Sequence, residues 1–189
     1  MQIYCILATI TNPAKAMFDR QPTLSNEMLT LRPLREEDFD DLYAVASDPL
    51  IWEQHPAKER SEPEGFATFF REALESKGAL VAIDRRTSRI IGTSRYMPVK
   101  ETGDAIEIGW TFLARSHWGG VYNRAMKELM IEHAFRFVPH VLLYIHPDNR
   151  RSQQAALKIG GVKITELNGQ TLSTRPSASV IYHILRPSP

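Results

Sequence analysis

Two short stretches of the chain hold residue types that could do chemistry. Ser116-His-Trp-Gly-Gly-Val-Tyr122 lies between a strand pattern and a helix pattern. A loop in that place turns consecutive backbone N–H groups outward, and the helix that follows adds the positive end of its dipole. The two together make an anion site suited to phosphate. Gly119 and Gly120 let a ligand approach the backbone closely, although a glycine pair before a helix is also the composition of a plain tight turn. The spacing matches neither G-x-x-x-x-G-K-[ST] nor G-x-G-x-x-G, which argues against a P-loop or a dinucleotide fingerprint. The second stretch, Pro147-Asp-Asn-Arg-Arg-Ser152, follows a continuous apolar run and opens a helix. Asn149 and Ser152 share a face of that helix. An amide and a hydroxyl at a strand's C-terminal end can hold and protonate a leaving group. Asn149 or Asp148 is equally a helix N-cap. Arg150 and Arg151 could meet phosphate or be solvated.

These residues need elements to hold them. Leu29–Leu34 alternates as a short strand. The acidic turn Arg35–Asp38 then opens a helix carrying Phe39, Leu42, Tyr43 and Ala46, stopped by Asp48-Pro49. Ser61-Glu-Pro-Glu64 reads as a capping box for a second helix with Phe66, Phe69, Phe70, Ala73 and Leu74 on one face, ended by Gly78. Strands are expected at Ala79–Ile83, Ile90–Tyr96 and Ala105–Leu113. A helix bearing Tyr122, Ala125, Met126, Leu129, Met130, His133, Ala134 and Phe137 follows, and Pro139 ends it. Val141–Ile145 has the apolar run of a strand buried on both faces. A helix from Asn149 to Ile159 and strands at Val162–Leu167 and Ala178–Leu185 complete the chain. The strand–helix–strand run over residues 105–145 implies one parallel pair through a right-handed crossover. Hairpins elsewhere make the sheet mixed, mostly antiparallel, in an α/β three-layer domain. The domain is expected to span residues 29–189, with residues 1–28 an N-terminal extension; Met17 and Met28 are alternative starts.

Composition narrows the function. The 189 residues carry 23 Lys and Arg against 22 Asp and Glu, a formal net charge of +1. That balance disfavours a nucleic-acid surface, including one built on Arg150 and Arg151. The single cysteine, Cys5, excludes an intrachain disulfide and fits a reducing cytoplasm. No stretch approaches the roughly 18 apolar residues of a membrane helix, and the N-terminus lacks the features of a signal peptide. The six histidines show no H-E-x-x-H or Cys/His ligand spacing, so no metal is expected.

In this order and spacing the motifs Leu31-Arg-Pro-Leu34, Ile106-Glu-Ile-Gly-Trp-Thr-Phe112, Trp118-Gly-Gly120, Asn149-Arg-Arg-Ser152 and Ile159-Gly-Gly161 resemble the GCN5-related N-acetyltransferase (GNAT) superfamily. The similarity runs from about Leu29 to Arg186 and looks closest to the ribosomal-protein-alanine acetyltransferase branch. The resemblance implies acetyl-CoA as co-substrate and an amine as acceptor. It implies a pantetheine arm admitted between the splayed strands 105–113 and 141–145 and bonded near Phe112 and Leu113. It places the pyrophosphate on the loop Ser116, Trp118, Gly119, Gly120, Val121 and Tyr122. It sets Asn149 beside the thioester and Ser152 beside the sulfur as a general acid. Trp52, Glu53 and His55 would line the acceptor pocket, Glu53 attracting a cationic amine; packing for Trp52 and solvation for the other two is the competing reading. Members usually carry Gln or Arg where Ser116 stands and Gly or Ala where Val121 stands.

Direct attack of a neutral amine on the thioester needs a proton acceptor and oxyanion donors. Glu107, a carboxylate inside a core strand and facing away from Ile106 and Ile108, is the first candidate base, with an ion pair or a solvated face as its other reading. His146, at a strand end, is the second. No covalent intermediate is indicated, since Cys5 lies outside the periodic domain and no G-x-S-x-G elbow occurs. The alternative from another class is a non-catalytic acetyl-CoA-binding regulatory domain. Strand-edge pairing could give a homodimer. The acceptor, whether a small molecule or a protein N-terminus, is not readable from the sequence.

Overall fold

The computed structural model of the protein describes residues 17–172 and 179–186. Cys5, and Ala178 at the start of the last expected strand, lie outside them. The elements run in the order β1 (Leu24–Ser25), β2 (Leu29–Pro33), α1 (Phe39–Ala46), α2 (Pro63–Glu75), β3 (Ala79–Asp84), β4 (Ile90–Val99), β5 (Ala105–Leu113), α3 (Val121–Ala134), β6 (His140–Ile145), α4 (Arg150–Lys158), β7 (Gly161–Ile164), β8 (Glu166–Leu167), β9 (Gln170–Thr171) and β10 (Val180–Leu185). Eight strands form one sheet in the order β1-β2-β3-β4-β5-β6-β10-β7. All neighbours are antiparallel except β5 and β6, the parallel pair joined through α3. The mixed sheet and its single parallel pair are those expected.

Both rows of the central strands are buried, so helices must cover both faces. One core joins Leu31, Leu80, Tyr96, Ile106 and Ile108 to Met126 and Met130 of α3 and Ala156 of α4. The other face packs Val81 and Phe112 against Leu42 of α1 and Phe66, Phe69 and Phe70 of α2. The aromatic stripe of α2 is therefore core. Ahead of β2 the chain already meets the sheet at Phe18, whose ring meets Tyr96 edge-on at 5.1 Å, and at Leu24, which pairs with Leu31.

Several local expectations are corrected. Ser61 does not cap α2; its Oγ donates to the Lys58 carbonyl, Glu62 occupies the N-cap position, and Pro63 starts the helix. Pro63 has no N–H to be capped, so proline pre-sets the first turn instead. Lys77, not Gly78, takes the left-handed conformation after α2, at φ 48°. Glycine is needed at 78 for another reason, because a Cβ there would come within 2.2 Å of the Tyr96 carbonyl oxygen. The single strand expected at Val162–Leu167 divides. β7 joins the main sheet, while β8 turns back through Asn168 and Gly169, both at positive φ, to pair with β9.

The feature that makes room for a ligand is the divergence of β5 and β6. Their pairing runs from Ala105 opposite His140 to Glu107 opposite Leu142. Beyond that both strands continue, to Leu113 and Ile145, without partnering each other. A bulge on β5 enlarges the gap: Arg95 pairs with Gly109 but Thr93 pairs with Phe112, and Trp110 sits at φ 51°. An extra residue in one strand bends it and increases its twist.

Candidate active site

Two cavities open where β5 and β6 part. The larger, of about 710 Å³, is lined by Phe112, Leu113, Trp118, Gly119, Gly120 and Val121 from β5 and the loop after it, and by Asn149, Arg151, Ser152 and Lys158 from α4 and its cap. The smaller, of about 150 Å³, is lined by Trp52, His55, Arg60, Gly109, Trp110, Lys127, Tyr144 and His146. They share Trp52, His55, Thr111, Asn123, Asn149 and Ser152 on their walls. The two cavities therefore adjoin at Asn149 and Ser152.

The larger cavity is cationic. Arg124, Arg151 and Lys158 line it and, among the described residues, no carboxylate does. Gly119 and Gly120 stand at φ 101° and 103°, and a Cβ on either would meet nothing within 4 Å. The need for glycine there is the left-handed backbone itself. Gly120 is the N-cap of α3, and the first intrahelical bond runs from the Arg124 N–H to its carbonyl. The N–H groups of Val121, Tyr122 and Asn123 are thus free to meet an anion. The Val121 side chain is exposed.

This loop is anchored from below by Asp84 at the end of β3. Its carboxylate, fully buried, meets His117 Nε2 at 3.2 Å and accepts from Tyr122 OH at 3.3 Å and from the Arg86 N–H at 2.7 Å. Burial raises the Asp84 pKa, but these bonds outweigh it and hold the group below the usual aspartate value. Tyr122 lines neither cavity and acts here as an anchor. The Trp118 indole donates to the Leu113 carbonyl at 2.9 Å, and the Arg151 guanidinium stacks on it at 3.9 Å. Arg151 also donates to the Ile51 carbonyl at 2.8 Å, and so joins the loop after α1 to the loop after β5. Arg150 is exposed.

Asn149 is the cap of α4 and also a cavity residue. Its Oδ1 accepts from the Ser152 N–H at 3.0 Å as the cap of α4, while its side chain lines both cavities. Trp52 is also both core and wall: 3% exposed, it donates to the Ala46 carbonyl at 2.7 Å and packs on Phe112. His55 lines both cavities with its Nδ1 accepting from the Ala57 N–H at 3.0 Å, so the neutral ring carries its proton on Nε2. Burial, with repulsion from Arg60 and His146, lowers the His55 pKa to about 4. His146 Nδ1 accepts from the Asp148 N–H at 3.3 Å. Glu53 is exposed and lines neither cavity. Glu107 is buried and is not itself on a wall, but its carboxylate lies beside Gly109, which is; a Cβ at 109 would come within 2.7 Å of Glu107 Oε1.

Lys127, Asn123 and Arg60 are wall residues that sequence reasoning missed. Lys127 falls off the apolar stripe of α3, yet it is 6% exposed, donating to Thr111 Oγ1 at 2.6 Å and to Ser94 Oγ at 3.3 Å. Burial lowers its pKa to about 7, against an opposing pull from Glu107. Its only sequence signal is a cation in a helix packed against a sheet that is buried on both faces.

Comparison with known proteins bears directly on this geometry. The acetyltransferase (GNAT) domain matches residues 28–162, more than half the chain. The chain belongs to the GNAT acetyltransferase family. Acetyl-CoA is that domain's acetyl donor, and Arg124, Arg151 and Lys158 on the wall of the larger cavity are cations suited to its phosphates. An N-acetyltransferase of Bacillus licheniformis, p20, is 28% identical over 118 residues, which span 60% of this chain and 66% of that relative. The GNAT acetyltransferase structure from Chromobacterium violaceum superposes with a TM-score of 0.73 at 18% identity, covering 98% of this chain and 95% of that one. The ribosomal-protein-S5-alanine acetyltransferase structure of Vibrio fischeri gives a TM-score of 0.61 at 17% identity, covering 87% and 97%. These likenesses establish a shared fold. Among the described residues no cluster of His, Cys, Asp or Glu is arranged to hold a metal ion, and no helix is long and apolar enough to cross a membrane.

Proposed function

We propose that this protein transfers the acetyl group of acetyl-CoA to a primary amine by direct attack, without a covalent enzyme intermediate. The observation that carries the reading is the meeting of the two cavities beside Asn149 and Ser152. The cofactor would lie in the larger cavity, its phosphates on the free N–H groups at the start of α3 and its pantetheine arm between β5 and β6. The amine would enter from the smaller one. Its nitrogen forms a bond to the thioester carbon, the carbon–sulfur bond breaks, and the products are an acetamide and the CoA thiol. Ser152 Oγ–H is the donor for the departing thiolate and Asn149 a donor beside the carbonyl oxygen; Ser152 regains its proton from solvent, to which Glu107 releases the one taken from the amine.

The proton released by the amine is assigned to Glu107, whose carboxylate approaches the smaller cavity at Gly109, where no side chain intervenes. His55 and His146 are less suited, because each already commits Nδ1 to a backbone N–H. Retention of Ser152 and Asn149 at the junction favours catalysis over a purely cofactor-binding role. The test is steady-state release of CoA thiol with an amine in excess, for wild type, Ser152→Ala and Glu107→Gln. The reading expects kcat to fall by roughly 10²-fold or more in Glu107→Gln and by less in Ser152→Ala, with the acetyl-CoA KM little changed. Unchanged kcat in both variants would remove these residues from the mechanism.

A further inference from the structure

The charge on the wall of the smaller cavity defines a class of acceptor. Its basic lining residues are Arg60, Lys127, His55 and His146, and among the described residues no aspartate or glutamate lines it. The nearest carboxylate, Glu107 beside Gly109, is within electrostatic range of Lys127, and the two offset one another. Arg60 is not offset in that way. It comes from the turn before α2, half-buried, with its guanidinium 4.8 Å from the Phe69 ring centroid and 5.7 Å from that of Trp52. Glu59 and Glu72 act on it from the solvent side, and no carboxylate of the described residues lies within ion-pairing distance. A guanidinium held on two aromatic faces at a cavity wall, with no ion pair to a carboxylate of the described residues, is suited to receive a planar oxyanion. Trp110 and Tyr144 give the remaining wall an aromatic character. At about 150 Å³ the space suits a molecule of amino-acid size rather than an extended chain.

We propose that the acceptor is a small primary amine that also carries a carboxylate, and that Arg60 binds that carboxylate. The proposal rests on the acetyl-transfer reading above and deepens it. It separates a free amino acid from two other amines the same chemistry would serve. A protein N-terminus has a neutral amide where the carboxylate would be, and a polyamine brings further positive charge toward Arg60 and Lys127.

The experiment has two arms, each run on wild type, Arg60→Gln and Arg60→Lys. In the first, acetyl transfer is measured to aromatic and aliphatic amino acids, to their carboxamides, which stand in for a peptide N-terminus, and to spermidine. In the second, binding of N-acetylphenylalanine and of N-acetylphenylalaninamide to the CoA-saturated protein is measured by calorimetry, which requires no turnover. Carboxylates are expected to exceed carboxamides by roughly 10- to 100-fold in kcat/KM and in affinity, the effect of one charge-assisted hydrogen-bonded pair. That ratio should fall to near one in Arg60→Gln and be partly kept in Arg60→Lys, with acetyl-CoA affinity unchanged in both as evidence of intact folding. Carboxamides or spermidine used as well as carboxylates, or a carboxylate preference that survives Arg60→Gln, would overturn the proposal and leave the transfer reading standing. If no acceptor turns over, the binding arm decides, and equal binding of acid and amide overturns it. Failure of the wild type to bind acetyl-CoA would instead strike the transfer reading itself.

Discussion

Replacing Lys127 by methionine exchanges a buried ammonium for an apolar group of similar length, and it should invert the order of stability between the two proteins as pH rises. In the folded protein burial pulls the Lys127 pKa from its ordinary 10.5 to about 7. In the unfolded chain the amine is solvated and keeps the ordinary value. Across the interval between those values the unfolded chain holds a proton that the native state has released. Wild-type stability from this group therefore rises with pH through that window and is lost as pH falls through the folded value. A tenfold change in proton affinity is worth about 1.4 kcal/mol, so charging the buried amine costs on the order of 5 kcal/mol. Methionine escapes that cost but gives up the hydrogen bonds to Thr111 and Ser94, worth about 1 kcal/mol each. Those hydroxyls are not orphaned, since Ser94 Oγ and Thr111 Oγ1 also lie 2.8 Å from each other. The variant should thus be more stable than wild type by roughly 2–3 kcal/mol near pH 6 and less stable by about 1–2 kcal/mol near pH 10. Urea unfolding of both proteins from pH 6 to pH 10 reads this, with Lys127→Met/Glu107→Gln against Glu107→Gln as the control that removes the coupling between the two groups. Parallel stability curves would mean that Lys127 keeps an ordinary pKa, and the account of a desolvated amine at the cavity floor would be wrong.

Two further substitutions test how the site is held. Asp84→Asn weakens the anchors on His117 and Tyr122 without touching the cofactor cavity itself, and is expected to raise the acetyl-CoA KM severalfold while kcat changes little; a loss confined to kcat would contradict an anchoring role. Gly78→Ala drives a Cβ to within 2.2 Å of the Tyr96 carbonyl oxygen and should cost about 1–3 kcal/mol in denaturant melts, whereas a stability gain would show that the backbones can separate there.

The layout was legible because the strongest signals in the chain are periodic. The alternation of β5, the stripe of α3 and the apolar run of β6 were enough to specify one parallel pair, and the structure has it. The pair Gly119 and Gly120, and Asn149 with Ser152, were readable because each sits at a strand-to-helix junction, where backbone geometry dictates residue type. What escaped depends on contacts distant in sequence. Arg60 lies in a short 3-10 turn, and its guanidinium reaches the small cavity alongside the rings of Trp52 and Phe69, which are distant in sequence. Lys127 reaches the wall beside the β5 bulge, where it donates to Thr111, one of the two residues between the paired Gly109 and Phe112. Asp84 is a strand-terminal aspartate in sequence and an anchor of the cofactor loop in space. Glu53 beside Trp52 looked like a companion in one pocket, but neighbours in a turn diverge, and Trp52 goes inward while Glu53 faces solvent. The short hairpin of β8 and β9 had a usable signal in Asn168-Gly169, the dipeptide favoured in tight hairpin turns.

The most direct test of the central claim is incubation of the protein with acetyl-CoA labelled in the acetyl group and a small amine, followed by mass spectrometry of the amine and by thiol titration. The account expects labelled N-acetyl product and free CoA in equal amounts, both dependent on enzyme and both abolished when either cavity is blocked. Thiol release without labelled product would show hydrolysis instead of transfer. Acetyl-CoA bound but unchanged in the presence of every amine tried would contradict the claim that the two cavities meet for chemistry.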